Sequence, residues 1–358
     1  MFIKSVQLEG YRNYKNSTVY FDKGTNVLFG DNAQGKTNVL EAIFICATTK
    51  SHRMCRDKEI INFDENEAHI VLYLDKGGIE YKIDIVLRKD KSKFVAINGS
   101  KIKKAAELLG ILNVVLFSPE DLSIIKNGPA ERRNFIDTEL CQLDSIYLYN
   151  LSKYNKIVEQ RNKVIKDSYV NPKILDTLDI WDQQLITYGT TIIEKRTEFV
   201  KELCKIIKEV HSKLTDGKEN IELIYEPNVT VEDFEKELKR NRNKDIKAKI
   251  TSVGPHRDDL SFIINDIDIR KYGSQGQQRT TALSLKLSEI EIVKKITGHV
   301  PVLLLDDVLS ELDSNRQNYL LKTIGDIQTI ITCTGLDDFV SNNFQIDKVI
   351  KVQKGTVS

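Results

Sequence analysis

The sequence has almost no net charge: 53 Lys and Arg stand against 52 Asp and Glu, leaving +1 over 358 residues. That balance excludes a protein that coats nucleic acid by bulk charge, while leaving room for a local basic face. Cysteine is sparse as well. Cys46, Cys55, Cys141, Cys204 and Cys333 are scattered, odd in number and form no CxxC pair, which argues against a disulfide framework and predicts reduced thiols. The five histidines (His52, His69, His211, His256, His299) show neither HExxH nor paired Cys/His spacing, so no zinc site is expected. No apolar run approaches the roughly 18 residues that span a bilayer, and Met1 to Val6 enters a strand pattern with no signal-like apolar region. A cytoplasmic protein without membrane contact is therefore expected.

What is present is the composition of a folded chain, 41% hydrophobic and 29% charged. Its length predicts two to three domains at about 150 residues each. Short alternating runs at 2–8, 18–21 and 26–29 read as strands, and residues 38–47 have helical spacing. Strands return over 68–97, with turn signals at Asp75 to Gly78 and at Asn98-Gly99, and the buried-looking run 114–117 follows.

The middle of the chain is different. One helical stripe runs Ile136, Leu140, Leu143, Tyr147, Leu151, Tyr154, Val158 and Ile165, interrupted at Arg161; a second runs from Ile174 to Val210. Two helices of about 40 residues, each about 60 Å long, are expected as an antiparallel hairpin. A strand follows at 221–226, then a helix opened by Thr230 and Asp233 that is rich in Lys and Arg from Lys236 to Lys249. Strand and helix alternate again to the end, including the buried runs 302–305 and 329–332. The expected division is an α/β head from residues 1–120 and 250–358, with an α-helical arm domain, 121–249, inserted into it.

Three motifs carry chemistry. Gly30-Asp31-Asn32-Ala33-Gln34-Gly35-Lys36-Thr37 fits GxxxxGK[ST] between a strand and the helix that opens at Asn38. Backbone N–H groups of such a loop cradle phosphates, Lys36 reaches the β- and γ-phosphates of ATP, and Thr37 offers its hydroxyl to Mg²⁺. Val302-Leu-Leu-Leu-Asp306-Asp307 supplies a buried strand that ends in a metal carboxylate, Asp306, and a candidate base for the attacking water, Asp307. Ser274-Gln275-Gly276-Gln277 stands at a helix start, a second place for anions.

In this order and spacing the Ser274 turn resembles the signature motif of ABC-type ATPases, and Ser310-Glu-Leu-Asp313 resembles their D-loop. The start, Leu8-Glu-Gly-Tyr-Arg12-Asn13-Tyr14, is similar to that of the RecF, Rad50 and SMC group. Four further segments resemble the RecF family: 117–122, 128–137, 254–260 and 273–279. The resemblance implies an ABC-type P-loop ATPase head with an antiparallel β lobe. It implies nucleotide contacts from Arg12, Asn13 and residues 30–38, and contacts across a dimer from Ser274, Gln275, Gly276, Gln277 and Asp313. It also implies an ATP-dependent homodimer on double-stranded DNA near gaps or junctions, partnership with RecR and RecO, and indirect help to RecA at the nucleoid.

The chain departs from the general ABC pattern at three points. Asp307 stands where transporters carry Glu, residues 118–121 occupy the place of the Q-loop glutamine, and Thr332-Cys333-Thr334 replaces the switch histidine. Slow hydrolysis is the expectation. A transporter ATPase subunit is disfavoured by the same departures, and an SMC-like structural head by the short insert. Arg132, Arg133, His256 and Arg257 are open between ion-pair and coupling roles.

Overall fold

The computed structural model describes residues 1–53, 55–335 and 345–358, apart from the side chains of Ala105 and Glu311. The chain divides into two compact units, Met1–Asp121 with Glu289–Ser358, and Leu122–Ser288.

The first unit contains two sheets. One has the strand order Thr356–Val357, Lys348–Gln353, Thr25–Phe29, Thr329–Cys333, Val302–Asp306, Val114–Phe117. Every pairing in it is parallel except the last hairpin, Lys348–Gln353 with Thr356–Val357. Val302 to Leu305 are entirely buried, as the unbroken apolar run predicts for a central parallel strand. The other sheet is antiparallel, in the order Tyr14–Tyr20, Phe2–Tyr11, Glu67–Lys76, Ile79–Arg88, Phe94–Ile97, Ser100–Lys101. Helix Lys36–Thr48 joins the two, because Val39, Leu40, Ile43 and Cys46 are buried in one core with Ile70, Leu72, Ile85, Leu116, Leu304 and Ile330. These are the expected α/β head and antiparallel lobe.

The second unit holds the helices. Instead of one long first helix the chain forms Pro129–Leu143 and Ser145–Asp167, broken where Asp144 caps the second by accepting from the N–H groups of Ile146 and Tyr147. Leu178–Leu214 is a single helix of 37 residues. Its antiparallel pairing with Ser145–Asp167 is fixed by Arg161 against Asp182 and by Tyr147 against Arg196. The expected arm ended at 249, whereas this unit extends to 288. Strand Asp259–Ile264 pairs along its whole length with Ile221–Glu226, which ties the segment after 249 to the helices.

Buried charge organises this unit. Arg161 is fully buried between Asp182 and Asp245, at 2.6 and 2.7 Å. Arg196 binds Asp137 and Asp258, each at 2.7 Å, and the carbonyl of Pro255. Arg132 grips Asp259 with two nitrogens, and Arg133 donates to the carbonyl of Asp258. His256 lies between the Tyr154 hydroxyl and the carbonyl of Thr251, which also accepts from Arg257. Burial lowers the His256 pKa to about 4.

Candidate functional site

The loop between strand Thr25–Phe29 and helix Lys36–Thr48 has the backbone a phosphate cradle needs. Gly30 and Gly35 have φ of 152° and 113°, conformations that L side chains resist. A Cβ on Gly35 would also stand 2.6 Å from Asn13 Nδ2, and one on Gly30 2.3 Å from the carbonyl oxygen of Val352. The loop is braced from outside. Asn13 donates to the Gln34 carbonyl and accepts from Asn38, Tyr14 donates to the Gly35 carbonyl, and the N–H groups of Lys354 and Gly355 bind Gln34.

Lys36 Nζ lies on the carbonyls of Gly30 and Asp31, at 2.5 and 2.9 Å. Thr37 Oγ1 donates to Asp306 Oδ1 at 2.8 Å, although the two are 269 positions apart. Parallel sheet order brings this about, since the strands that end at Phe29, Cys333 and Asp306 are neighbours. Thr332 stands between them. Its hydroxyl donates to Asp306 Oδ1 at 2.8 Å and accepts from the Asp307 N–H at 3.0 Å. Asp307, the residue after the strand, has φ 53°, in the left-handed region. Burial raises its carboxyl above the ordinary range, with Lys36 opposing and Asp306 adding to the shift. A hydroxyl and a carboxylate in direct contact are the hard oxygen donors Mg²⁺ prefers, so Thr37 and Asp306 fit that ion.

Arg12 is committed elsewhere. Its Nε and one Nη bind both oxygens of the fully buried Glu41 at 2.9 and 2.6 Å, and another Nη donates to the Glu59 carbonyl. Tyr11 and Ser51 also donate to Glu41. Burial pushes this carboxyl up, but the bonds from Arg12 and Ser51 outweigh it and hold the pKa low. Arg53 closes the group, 3.2 Å from Asn38 Oδ1 and 4.0 Å from Glu41. Glu41 and Arg53 were not legible as site residues, because each lies outside the contiguous motifs; Tyr14 and Thr332 stand in segments singled out from the sequence, but their roles were not read there.

The remaining motif residues belong to other elements. Ser274 and Gln277 form a reciprocal cap on helix Gln275–Thr297, the serine hydroxyl accepting from the Gln277 N–H and the glutamine carbonyl from the Ser274 N–H. Gln275 and Gly276 are exposed, and the nearest atom to a Cβ built on Gly276 is Ser274 Oγ at 3.9 Å. Among the described residues nothing requires glycine there. Asp313 caps helix Ser314–Thr323 and pairs with Arg316.

A phosphate loop and paired carboxylates at the strand ends of a parallel sheet, with an antiparallel lobe beside them, define an ABC-type P-loop ATPase head. A family model described as the RecF/RecN/SMC N terminal domain matches residues 2–358. The "DNA replication and repair protein RecF" of Agathobacter rectalis is 60% identical over 357 residues, covering 100% of this chain and 99% of the relative. Its counterpart in Clostridium perfringens is 49% identical over 364 residues, with the same coverage. A solved structure of the recombination mediator protein RecF-ATP in the RecFOR pathway superposes with a TM-score of 0.93 at 36% identity, covering 100% of this chain and 97% of that one. A Pyrococcus furiosus Smc head domain shares the fold, with a TM-score of 0.55 at 21% identity over 100% of this chain and 95% of that one.

The chain belongs to the RecF family of DNA replication and repair proteins. It is thus a repair and recombination protein of an ATP-using family. No described helix is long and apolar enough to cross a membrane.

Proposed function

We propose that the protein is an ATP-gated DNA clamp that hydrolyses ATP slowly and uses it as a switch. The observation that carries this reading is the contact between Thr37 and Asp306 at 2.8 Å, which joins the phosphate loop to the metal carboxylate. Residues 30–38 and Asn13 hold the nucleotide of their own chain. Lys36 leaves the carbonyls of Gly30 and Asp31 and pairs with the β- and γ-phosphates. Thr37 and Asp306 would hold Mg²⁺, which when bound would supply positive charge to balance the phosphate oxygens. Asp307 accepts the proton of the attacking water, whose oxygen bonds to the γ-phosphorus as ADP leaves. Arg12 acts through Glu41, keeping the loop helix in place.

A second copy completes the site with Ser274, Gln275, Gly276, Gln277 and Asp313. Support comes from Gly276, whose missing side chain serves no contact among the described residues and leaves room for a partner's nucleotide. The closed homodimer holds double-stranded DNA near gaps or junctions through backbone phosphates, so binding is strongly salt-dependent. RecR with RecO, and RecA beyond them, are the partners that kinship suggests, at the nucleoid.

The test is the light-scattering mass of Asp307→Asn with and without ATP and Mg²⁺. The mass is expected to double from 41.0 kDa with ATP and to stay at the monomer value when Ser274→Arg is added. A mass that ATP does not change would remove the clamp.

A further inference from the structure

The hairpin between helices Ser145–Asp167 and Leu178–Leu214 ends in a tip with its own small core. Val164, Ile165 and Leu178 are buried there, with Ile174, Leu175, Trp181 and Ile246 packed against them. Two apolar residues of the same tip stay in water: Tyr169 is 87% and Val170 86% exposed. Solitary exposed apolar residues are ordinary. An adjacent exposed pair at the hairpin tip, beside a small apolar core, calls for a partner.

The charges around the pair are segregated. On helix Phe234–Ala248 Lys236 is exposed, while three of the earlier cations are neutralised within the chain, Lys239 by Glu235, Arg240 by Glu237 and Arg242 by Asp179 and Asp182. The cations nearer the tip are not. Lys166, Lys173, Lys244, Lys247 and Lys249 are exposed and form no ion pair among the described residues. Lys249 Nζ stands 5.6 Å from the centroid of the Tyr169 ring, which brings the end of that helix to the tip. Exposed acids in segments 163–177 and 244–250 are limited to Asp167 and Asp176.

We propose that this tip binds single-stranded nucleic acid, with Tyr169 stacking on an unpaired base while Lys166, Lys173, Lys247 and Lys249 hold the phosphates on either side. A ring with a cation at one face and water at the other can receive a base on the open face. Duplex DNA would engage the lysines alone, because its bases are already stacked on one another and offer no open face to the ring. The inference rests on the proposed function and deepens it: a clamp on duplex that also reads a neighbouring single strand would settle at a gap.

The test uses the full chain and fluorescence anisotropy with oligo-dT of about 16 nucleotides and a duplex of equal length, each at two salt concentrations. Tyr169→Ala is expected to weaken oligo-dT binding about tenfold, leaving duplex binding and ATP hydrolysis unchanged. Tyr169→Phe should keep the affinity, and changing the four phosphate-holding lysines to Gln should weaken binding and flatten its salt dependence. The proposal fails if Tyr169→Ala leaves oligo-dT binding intact. It also fails if duplex binding drops equally, or if the wild type binds duplex but not oligo-dT; the clamp survives all three results. Tip variants that lose binding to poly-glutamate and keep that to oligo-dT would assign the surface to an acidic protein instead. Tyr169-dependent oligo-dT binding with an ATP-independent monomer mass would keep this site and overturn the clamp, while a wild type that binds neither DNA would overturn both.

Discussion

Thr332 is the residue on which both strand-end carboxylates depend. Its single hydroxyl donates to Asp306 and accepts from the Asp307 backbone, between two strands whose order in sequence gives no hint of that role. Asp307 sits at φ 53°, a conformation that costs about 1–3 kcal/mol and needs such support. Thr332→Val keeps the shape and removes both bonds. A hydrogen bond to a charged group is worth about 1.5–3 kcal/mol, so kcat for ATP hydrolysis is expected to fall at least tenfold while KM changes little. Thr332→Ser should restore it. Steady-state ATPase assays of the two variants decide the matter, and an unchanged kcat in the valine variant would leave Thr332 a filler. Motif residues were legible because the phosphate loop is contiguous and its chemistry is carried by residue types at fixed spacing. Glu41 and Arg53 were not, because loop return brings them to the site; Thr332 was visible as a hydroxyl in the place of the switch histidine, but its bonds depend on sheet order, which a single sequence does not record.

Among the elements, the arm was readable in outline and misread in detail for one physical reason. Apolar spacing continues through Ile136, Leu140, Leu143 and Tyr147, so the stripe hides the break that Asp144 makes by capping the next helix. Arg161 was visible as an interruption of that stripe; its meaning, a buried charge held by Asp182 and Asp245, depends on a helix 84 positions away. Similarly, His256 is a turn residue whose neighbours come from elsewhere. Its two ring nitrogens are engaged by Tyr154 and the Thr251 carbonyl, and burial lowers its pKa to about 4. A histidine with a lowered folded pKa binds fewer protons folded than unfolded, so its contribution to stability is full above about pH 6.5 and is lost as pH falls towards 4. Between pH 7 and pH 5 the loss for this group is about 2 kcal/mol. Urea denaturation at the two pH values should show it, and His256→Gln should shrink the difference by that amount. An unaltered difference would mean that the ring is protonated in place.

At the scale of the whole molecule, the phosphate loop and the Ser274 turn belong to different compact units, and ABC-type heads join such parts between copies. Whether one chain's loop works with the other chain's turn can be decided by complementation. Lys36→Ala disables the loop and leaves the turn, whereas Ser274→Arg fills the turn and leaves the loop. Each variant alone should be inactive in either arrangement. In a two-fold dimer mixed from the two, one site pairs the damaged loop with the damaged turn, and the other pairs an intact loop with an intact turn. Since Ser274→Arg does not pair with itself, the active species in the mixture is the mixed dimer, with one of its two sites working, so equal amounts should recover up to about half of the wild-type ATPase rate. If loop and turn served the same chain, no mixed dimer would contain an intact site and mixing would recover nothing. A recovery that rises with protein concentration and requires ATP would show that Gly276 is bare because the partner's nucleotide lies against it.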